Sequence, residues 1–309
     1  MTGGFNVYIE KREGPKPGVS LYSYSGEYGI SMNMEDCFAD MYDMGAHGLE
    51  ILANSHIPSY PDVSDKWLEQ WNRLLDLYEI VPAEYGHWVD SRLFRGRELT
   101  TEESCRMLLR DIKIAHKLGF PVMRTKLGVI DDLNTPVENW REIISACLPA
   151  AEEYNVRLCP ELHMPTALKS RYVDDYVEFI EKKNTKYFGF NVDFGTFQNK
   201  FESDFRLPGM PEDGGPCSVP EDIIPILKYV YCCHAKFNYM SETFEEETIP
   251  YEAIIRVLRE HGFNGYMLSE YEGANKQKQG FVSEQLRRQH IMMQRILKQN
   301  DTGMRDKNA

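Results

Sequence analysis

CPELH (159–163), FNVDFGTF (190–197), YCCHAKFN (231–238) and MLSEYEG (267–273) are the stretches that decide how this chain folds. Each begins apolar, as a strand entering a core does, and carries a metal-competent side chain toward its end: Glu161, Asp193, His234 and Glu270. Successive members of this set are 32, 41 and 36 residues apart, room each time for one helix and two loops. A parallel β/α architecture brings the C-terminal ends of its strands to one rim, so four such ends can meet at one ion. Three carboxylates and one imidazole form a hard, mostly oxygen site suited to Mn²⁺ or Mg²⁺, with Co²⁺ and Fe²⁺ also compatible.

Working outward, the rest of the chain repeats the same unit. Strands are predicted at 19–25, 48–54, 80–89, 121–128, 156–163, 188–197, 231–238 and 265–273. Helices are predicted at 34–45, 62–79, 101–118, 137–154, 171–184, 220–230, 251–263 and 282–299. In the second helix Trp67, Leu68, Trp71, Leu74, Leu75 and Tyr78 recur at steps of one, three and four residues, which is a core-facing stripe. Pro149 falls inside the fourth and is expected to kink or split it. Eight strand-then-helix units without a break in composition predict an α/β fold, a single (β/α)₈ TIM barrel, over residues 18–299. An N-terminal arm is expected at 1–17, ending in Pro-Lys-Pro, and a frayed tail at 300–309. The connection 198–219 is long enough to suggest a functional loop.

The chain has 309 residues, and its 48 acids against 35 bases give a formal net charge of −13, which argues against general affinity for nucleic acid or anionic membrane. The first residues lack the apolar core of a signal peptide, and no run nears the roughly 18 apolar residues of a membrane span, so a cytoplasmic protein is expected. Seven cysteines without a CxxC pair read as reduced thiols. GxGxxG, Walker A, GxSxG and HExxH motifs are all absent, which leaves dinucleotide, nucleotide and serine-hydrolase chemistry without support.

At the rim, an ion held by Glu161, Asp193, His234 and Glu270 keeps open positions for two neighbouring oxygens of a polyol or hydroxyketone, whose adjacent C–H then becomes acidic. His163 lies two residues after Glu161 and projects to the same face, as a general base would. Lys236 stands in the same relation to His234, and Glu272 to Glu270. Lys126 and His87, at neighbouring strand ends, are candidates to hold sugar hydroxyls or donate a proton. Arg124 and Lys126 share one face of their strand.

With its E-x-H at Glu161-Leu162-His163 and H-x-K at His234-Ala235-Lys236, the quartet resembles that of the xylose isomerase-like TIM barrels: sugar isomerases, ketose 3-epimerases and inosose dehydratases. Within that group PELHMP, GFNVDFGTF, CCHAKFNYM and LSEYEG are most similar to the large (α) subunit of bacterial C-glycoside deglycosidases, metal-dependent lyases that act on 3-oxo C-glycosides with a small β-type partner. The resemblance implies a hetero-oligomer and Mn²⁺ chelated by oxygens on C2 and C3 of an oxidised sugar of a flavonoid-type glycoside. It also implies removal of the C2 proton by His163, with Glu161 or Glu270 as alternative bases, and expulsion of the aryl carbon from C1, with Lys126, His87 or a water giving it a proton. Ketose 3-epimerases carry a His three residues after the metal Asp and an Arg six after the metal His, where this chain has Thr196 and Met240. A sugar isomerase, epimerase or inosose-type dehydratase is the second reading, and a non-catalytic scaffold subunit the third.

Overall fold

The computed structural model describes residues 14–87, 99–125, 136–199 and 215–305. Nine strands form one parallel sheet: β1 (Lys16–Ser20), β2 (Gly48–Leu52), β3 (Val81–His87), β4 (Val122–Thr125), β5 (Arg157–Cys159), β6 (Glu161–Leu162), β7 (Phe190–Asp193), β8 (Val230–Phe237) and β9 (Tyr266–Tyr271). Their order is β5-β4-β3-β2-β1-β9-β8-β7-β6. The ends of that order are neighbours in sequence, because β5 and β6 are one predicted strand interrupted at Pro160, which has no N–H for the ladder. The Leu158 N–H donates to the Tyr187 carbonyl, Gly189 donates back to Leu158, and Asn191 donates to Pro160, so the sheet closes around this break. The expected eight-stave TIM barrel is therefore the fold found.

The helices outside the sheet are α1 (Met34–Asp43), α2 (Ala53–His56), α3 (Asp65–Leu77), α4 (Thr101–Lys117), α5 (Trp140–Glu153), α6 (Arg171–Lys183), α7 (Tyr251–Glu260) and α8 (Phe281–Arg305). Local chemistry sets several boundaries. Asn33 with Asp36 and Thr100 with Glu103 form capping boxes that start α1 and α4, and Gly119, at φ +86°, follows the end of α4.

Several features differ from expectation. β1 starts at Lys16, within the expected arm, and hands over at Ser20 to a 3₁₀ turn, Leu21–Tyr24, since prolines are tolerated in the first residues of a strand. α5 runs through Pro149 as one helix, and Ser145, whose carbonyl loses its partner there, lines a solvent-facing groove with Pro149. The segment Pro220–Tyr229 is a 3₁₀ helix with Pro225 inside it. The final helix extends to Arg305, into the expected tail. Most of the loop expected to be functional, 200–214, lies outside the described residues.

One large core fills the layer between sheet and helices, with Trp71, Trp140, Phe120, Phe188 and Phe190 among its fully buried side chains. A small apolar group of Ala83, Cys232 and Leu268, with Tyr266 against it, is separate. Cys232 and Leu268 share strand parity with His234 and Glu270, so this group plugs the barrel interior beneath the polar rim. Ala83 is the extra residue of a bulge: Leu49 pairs with Pro82 and Glu50 with Glu84. The bulge keeps Glu84 level with Glu50 on the inner face. All seven cysteines are free, and among the described residues no helix is long and apolar enough to cross a membrane.

Candidate metal centre

Four strands deliver the quartet. Glu161 opens β6 directly after Pro160; Asp193 ends β7 and caps the 3₁₀ turn Phe194–Phe197 by accepting from the Gly195 N–H; His234 and Glu270 lie on the paired strands β8 and β9. One ligand atom from each lies within 4.8 Å of every other. The expected convergence is thus present in the geometry.

His234 is the hub, with no exposed surface. Its Nδ1 lies 2.8 Å from Glu161 Oε1 and 3.3 Å from Glu270 Oε2, while its Nε2 lies 3.2 Å from Glu50 Oε2 and 3.3 Å from Glu84 Oε2. Carboxylates thus face both nitrogens; with an ion on Nδ1, the ring proton would sit on Nε2 toward Glu50 and Glu84, the arrangement that a metal-ligating histidine needs.

Arg124, on β4, spans the remaining gap. Its Nε donates to Glu50 Oε1 at 2.8 Å and its Nη1 to Glu161 Oε2 at 3.0 Å. Asn191 Nδ2 donates to Glu84 Oε2 at 2.9 Å. Burial opposes ionisation of Glu50, but Arg124 and His234 outweigh it and bring its carboxyl down to about 2. The same balance, with burial opposed by His234 and Arg124, holds Glu161 well below the usual carboxylate range. Burial raises Glu84 to about 7 against the pull of His234 and, more weakly, Arg124. Burial likewise raises Asp193 to about 7 against the pull of Lys236 and His163.

These features fit a divalent cation. Five buried or nearly buried carboxylates, Glu50, Glu84, Glu161, Asp193 and Glu270, surround one imidazole, and the fixed cations nearby are Arg124 and Lys236. Asp193 Oδ2 is buried with no hydrogen-bond partner among the described residues, and Arg124 occupies Glu161 Oε2 while leaving Oε1 on the quartet side. Glu50, Glu84 and His234 also cluster, but with three donors against the quartet's four. The hard donors match Mn²⁺ or Mg²⁺ chemistry without selecting between them.

A second chain of groups borders the quartet. Lys236 Nζ lies 2.8 Å from His163 Nε2 and pairs with Glu272, and His163 Nδ1 faces the Met164 carbonyl. Asp193, Glu272 and Glu270 raise the Lys236 ammonium above its usual range although burial opposes it. The structure thus joins His163, Lys236 and Glu272, three residues singled out by spacing alone.

His87 is not brought to this site. Its Nε2 lies 3.4 Å from Asp111 of α4, which also accepts from the Tyr85 and Tyr60 hydroxyls. The cause is strand parity: Glu84 faces the barrel interior, so His87, three residues later, faces the helices. Lys126 lies outside the described residues. Glu50 and Glu84 are visible in their predicted strands, but neither they nor Asn191 is among the candidate site residues expected from the sequence. A signal existed for Glu50, a lone acid between Leu49 and Ile51 in an apolar strand, since a buried charge requires partners.

Fold and site define a class. The description "Xylose isomerase-like TIM barrel" matches residues 38–292, and the chain belongs to that family. Curated relatives include the "3'-dehydrocarminate deglycosidase alpha subunit" of a Microbacterium species, 24% identical over 91% of this chain and 95% of the relative. A "C-glycoside deglycosidase alpha subunit" of Arthrobacter globiformis is 23% identical over 91% and 92%. Among solved structures, an L-ribulose 3-epimerase superposes with a TM-score of 0.68 at 12% identity, covering 96% of this chain and 98% of that one. A 3-keto-D-glucoside 4-epimerase from E. coli gives 0.59 at 12% identity, covering 91% and 99%. At these identities the superpositions speak for the fold.

Proposed function

We propose that this chain is a metal-dependent carbon–carbon lyase that cleaves the C-glycosidic bond of 3-oxo C-glycosides with flavonoid-type aglycones, as the catalytic subunit of a complex with a small β-type partner. The observation that carries the reading is the meeting of Glu161, Asp193, His234 and Glu270 beside the His163–Lys236–Glu272 chain. Relatives called deglycosidase α subunits, similar along about nine-tenths of the chain, support it, and their names motivate the partner.

In this reading Glu161, Asp193, His234 and Glu270 would hold Mn²⁺, which would supply Lewis acidity to the oxidised sugar. The C3 ketone acidifies the C2 hydrogen. His163 takes that proton at Nε2 once Lys236 shifts fully onto Glu272, and its Nδ1–H, donated to the Met164 carbonyl, fixes the tautomer needed. The aryl ring carbon takes up a proton while the phenol beside it gives up its own, the electron pair of the C2–H bond forms the C1=C2 double bond, and the C1–aryl pair returns to the ring as the phenolate leaves. No water is consumed; the products are an enone sugar and the aglycone.

Proton transfer alone, as in an isomerase or epimerase, would use the same ion. Against that second reading, Met240 is fully buried with its N–H donated to Gln285, and the Thr196 hydroxyl donates to the Thr166 carbonyl. Neither residue replaces the polar groups that ketose epimerases carry there. The test is incubation of the Mn²⁺-loaded chain with a 3-oxo C-glucosyl flavone in D₂O, with and without a small partner subunit. Free aglycone is expected. Deuterium incorporation at C2 without aglycone in both arms would overturn the lyase in favour of proton transfer.

A further inference from the structure

Two rim residues outside the groups already discussed face the same charges. After β1 the 3₁₀ turn carries Tyr22 to the rim, and after β9 the segment 272–280 folds back over it. That fold is tightly built. A Cβ on Gly26 would sit 2.4 Å from the Lys276 carbonyl, Gly280 N–H donates to Glu27 Oε1 at 2.9 Å, and the Tyr271 hydroxyl donates to the Ala274 carbonyl at 2.6 Å.

The result is a half-buried Lys276 whose ammonium lies 3.9 Å from the centre of the Tyr22 ring. Its polar contacts are long, 3.5 Å to the Tyr22 carbonyl and 3.4 Å to Ser25 Oγ. Glu272 and Glu270 both act on it electrostatically, yet Glu272 is already paired with Lys236. Tyr22 feels Glu272, Glu270, Lys236 and Arg124, the groups around the metal centre, and its hydroxyl makes no hydrogen bond among the described residues. A cation on an aromatic face with spare N–H donors, next to an uncommitted phenol, matches an aromatic ring that bears an acidic oxygen.

We propose that Tyr22 and Lys276 form the subsite for the leaving aryl group, with Lys276 donating to a phenolic oxygen of the aglycone and Tyr22 lining the ring. The inference rests on the lyase reading and adds to it a selection rule: aglycones with a free phenol next to the glycosidic carbon are preferred over their methyl ethers. Charge gained by that oxygen as the C1–aryl bond breaks meets the ammonium, so the pair acts on the leaving group and not on the sugar.

The test uses the Mn²⁺-loaded chain, with its partner where one copurifies, and two ligands: an aryl 3-oxo C-glucoside with the ortho phenol free and the same compound O-methylated. Dissociation constants are measured by calorimetry in a His163→Ala background. Lys276→Met is expected to weaken binding of the phenol about tenfold or more, to leave the ether within twofold, and to be rescued by Lys276→Arg. Equal effects on both ligands, or none, would overturn the subsite and leave Lys276 as a staple between two loops, with thermal stability as its readout. Aglycone release by the unaltered chain is scored separately. Discrimination at Lys276 without release sinks the lyase and keeps an aryl-binding subsite; release indifferent to Lys276 on both substrates sinks the subsite and keeps the lyase.

Discussion

Strands β6 to β9 and strands β2 to β4 face each other across one barrel and carry different kinds of polar side chain. The first group presents Glu161, Asp193, His234 and Glu270, whose ligand atoms approach a common point. The second presents Glu50, Glu84 and Arg124, which touch the quartet from behind. One half offers donors; the other sets their charge and orientation. Arg124 takes one oxygen of Glu161 out of play, and the two glutamates face the far nitrogen of His234. A binding centre in a barrel is thus legible as ligands on one arc and counter-charges on the opposite arc.

The sharpest way to break this contrast is on the donor arc. Glu161→Gln should abolish tight Mn²⁺ binding and lower turnover by about 10³-fold or more, since a Lewis-acid contribution is worth several kcal/mol; calorimetric titration and single-turnover assays check both. Next comes the opposite arc. Arg124→Met leaves Glu50 and Glu161 buried without their cation and should destabilise the metal-free fold by about 3 kcal/mol, seen in urea unfolding. A stability unchanged in that variant would show that the guanidinium is not needed where it stands. Glu50→Gln is milder: it retains volume and loses the charge facing Nε2 of His234, with an expected 10- to 100-fold loss of metal affinity.

The smallest effect separates site from scaffold by pH. Burial lowers His56 to about 4 and His290 to about 3, from an ordinary value near 6.5. Both rings lie away from the quartet: His56 bonds the Leu52 backbone and His290 bonds Ser269. The unfolded chain binds these protons at a pH where the folded chain does not. Their contribution is therefore complete above about pH 6.5 and is lost as pH falls through 4 and 3, at no more than about 1.4 kcal/mol per group per pH unit. Equilibrium unfolding between pH 7 and 5 in a His290→Gln variant should show a shallower slope than the parent chain.

The sequence reading reached the eight units, the quartet and the His163 neighbours because period-two alternation and strand-end position are local properties. It missed the counter-charge arc, since the partner that neutralises Glu50 sits on another strand, and pairing across a barrel interior leaves no local pattern. His87 failed for a reason within reach: a strand cannot face both Glu84 and His87 inward. Pro160 gave no warning that the strand would be interrupted there, because extended backbone continues on both sides of the missing N–H.

That missing N–H has a mechanical consequence. Where the ladder thins, Leu158 and Phe188 make a single isolated bridge, and directly outside it Trp140 stacks on Phe188 with Tyr176 and Phe179 set edge-on around them. Aromatic packing there backs the three peptide hydrogen bonds that close the sheet. Glu161 is mounted beside this join, so the quartet ligand that Arg124 holds stands on a short strand laddered to β7 and next to this ring stack.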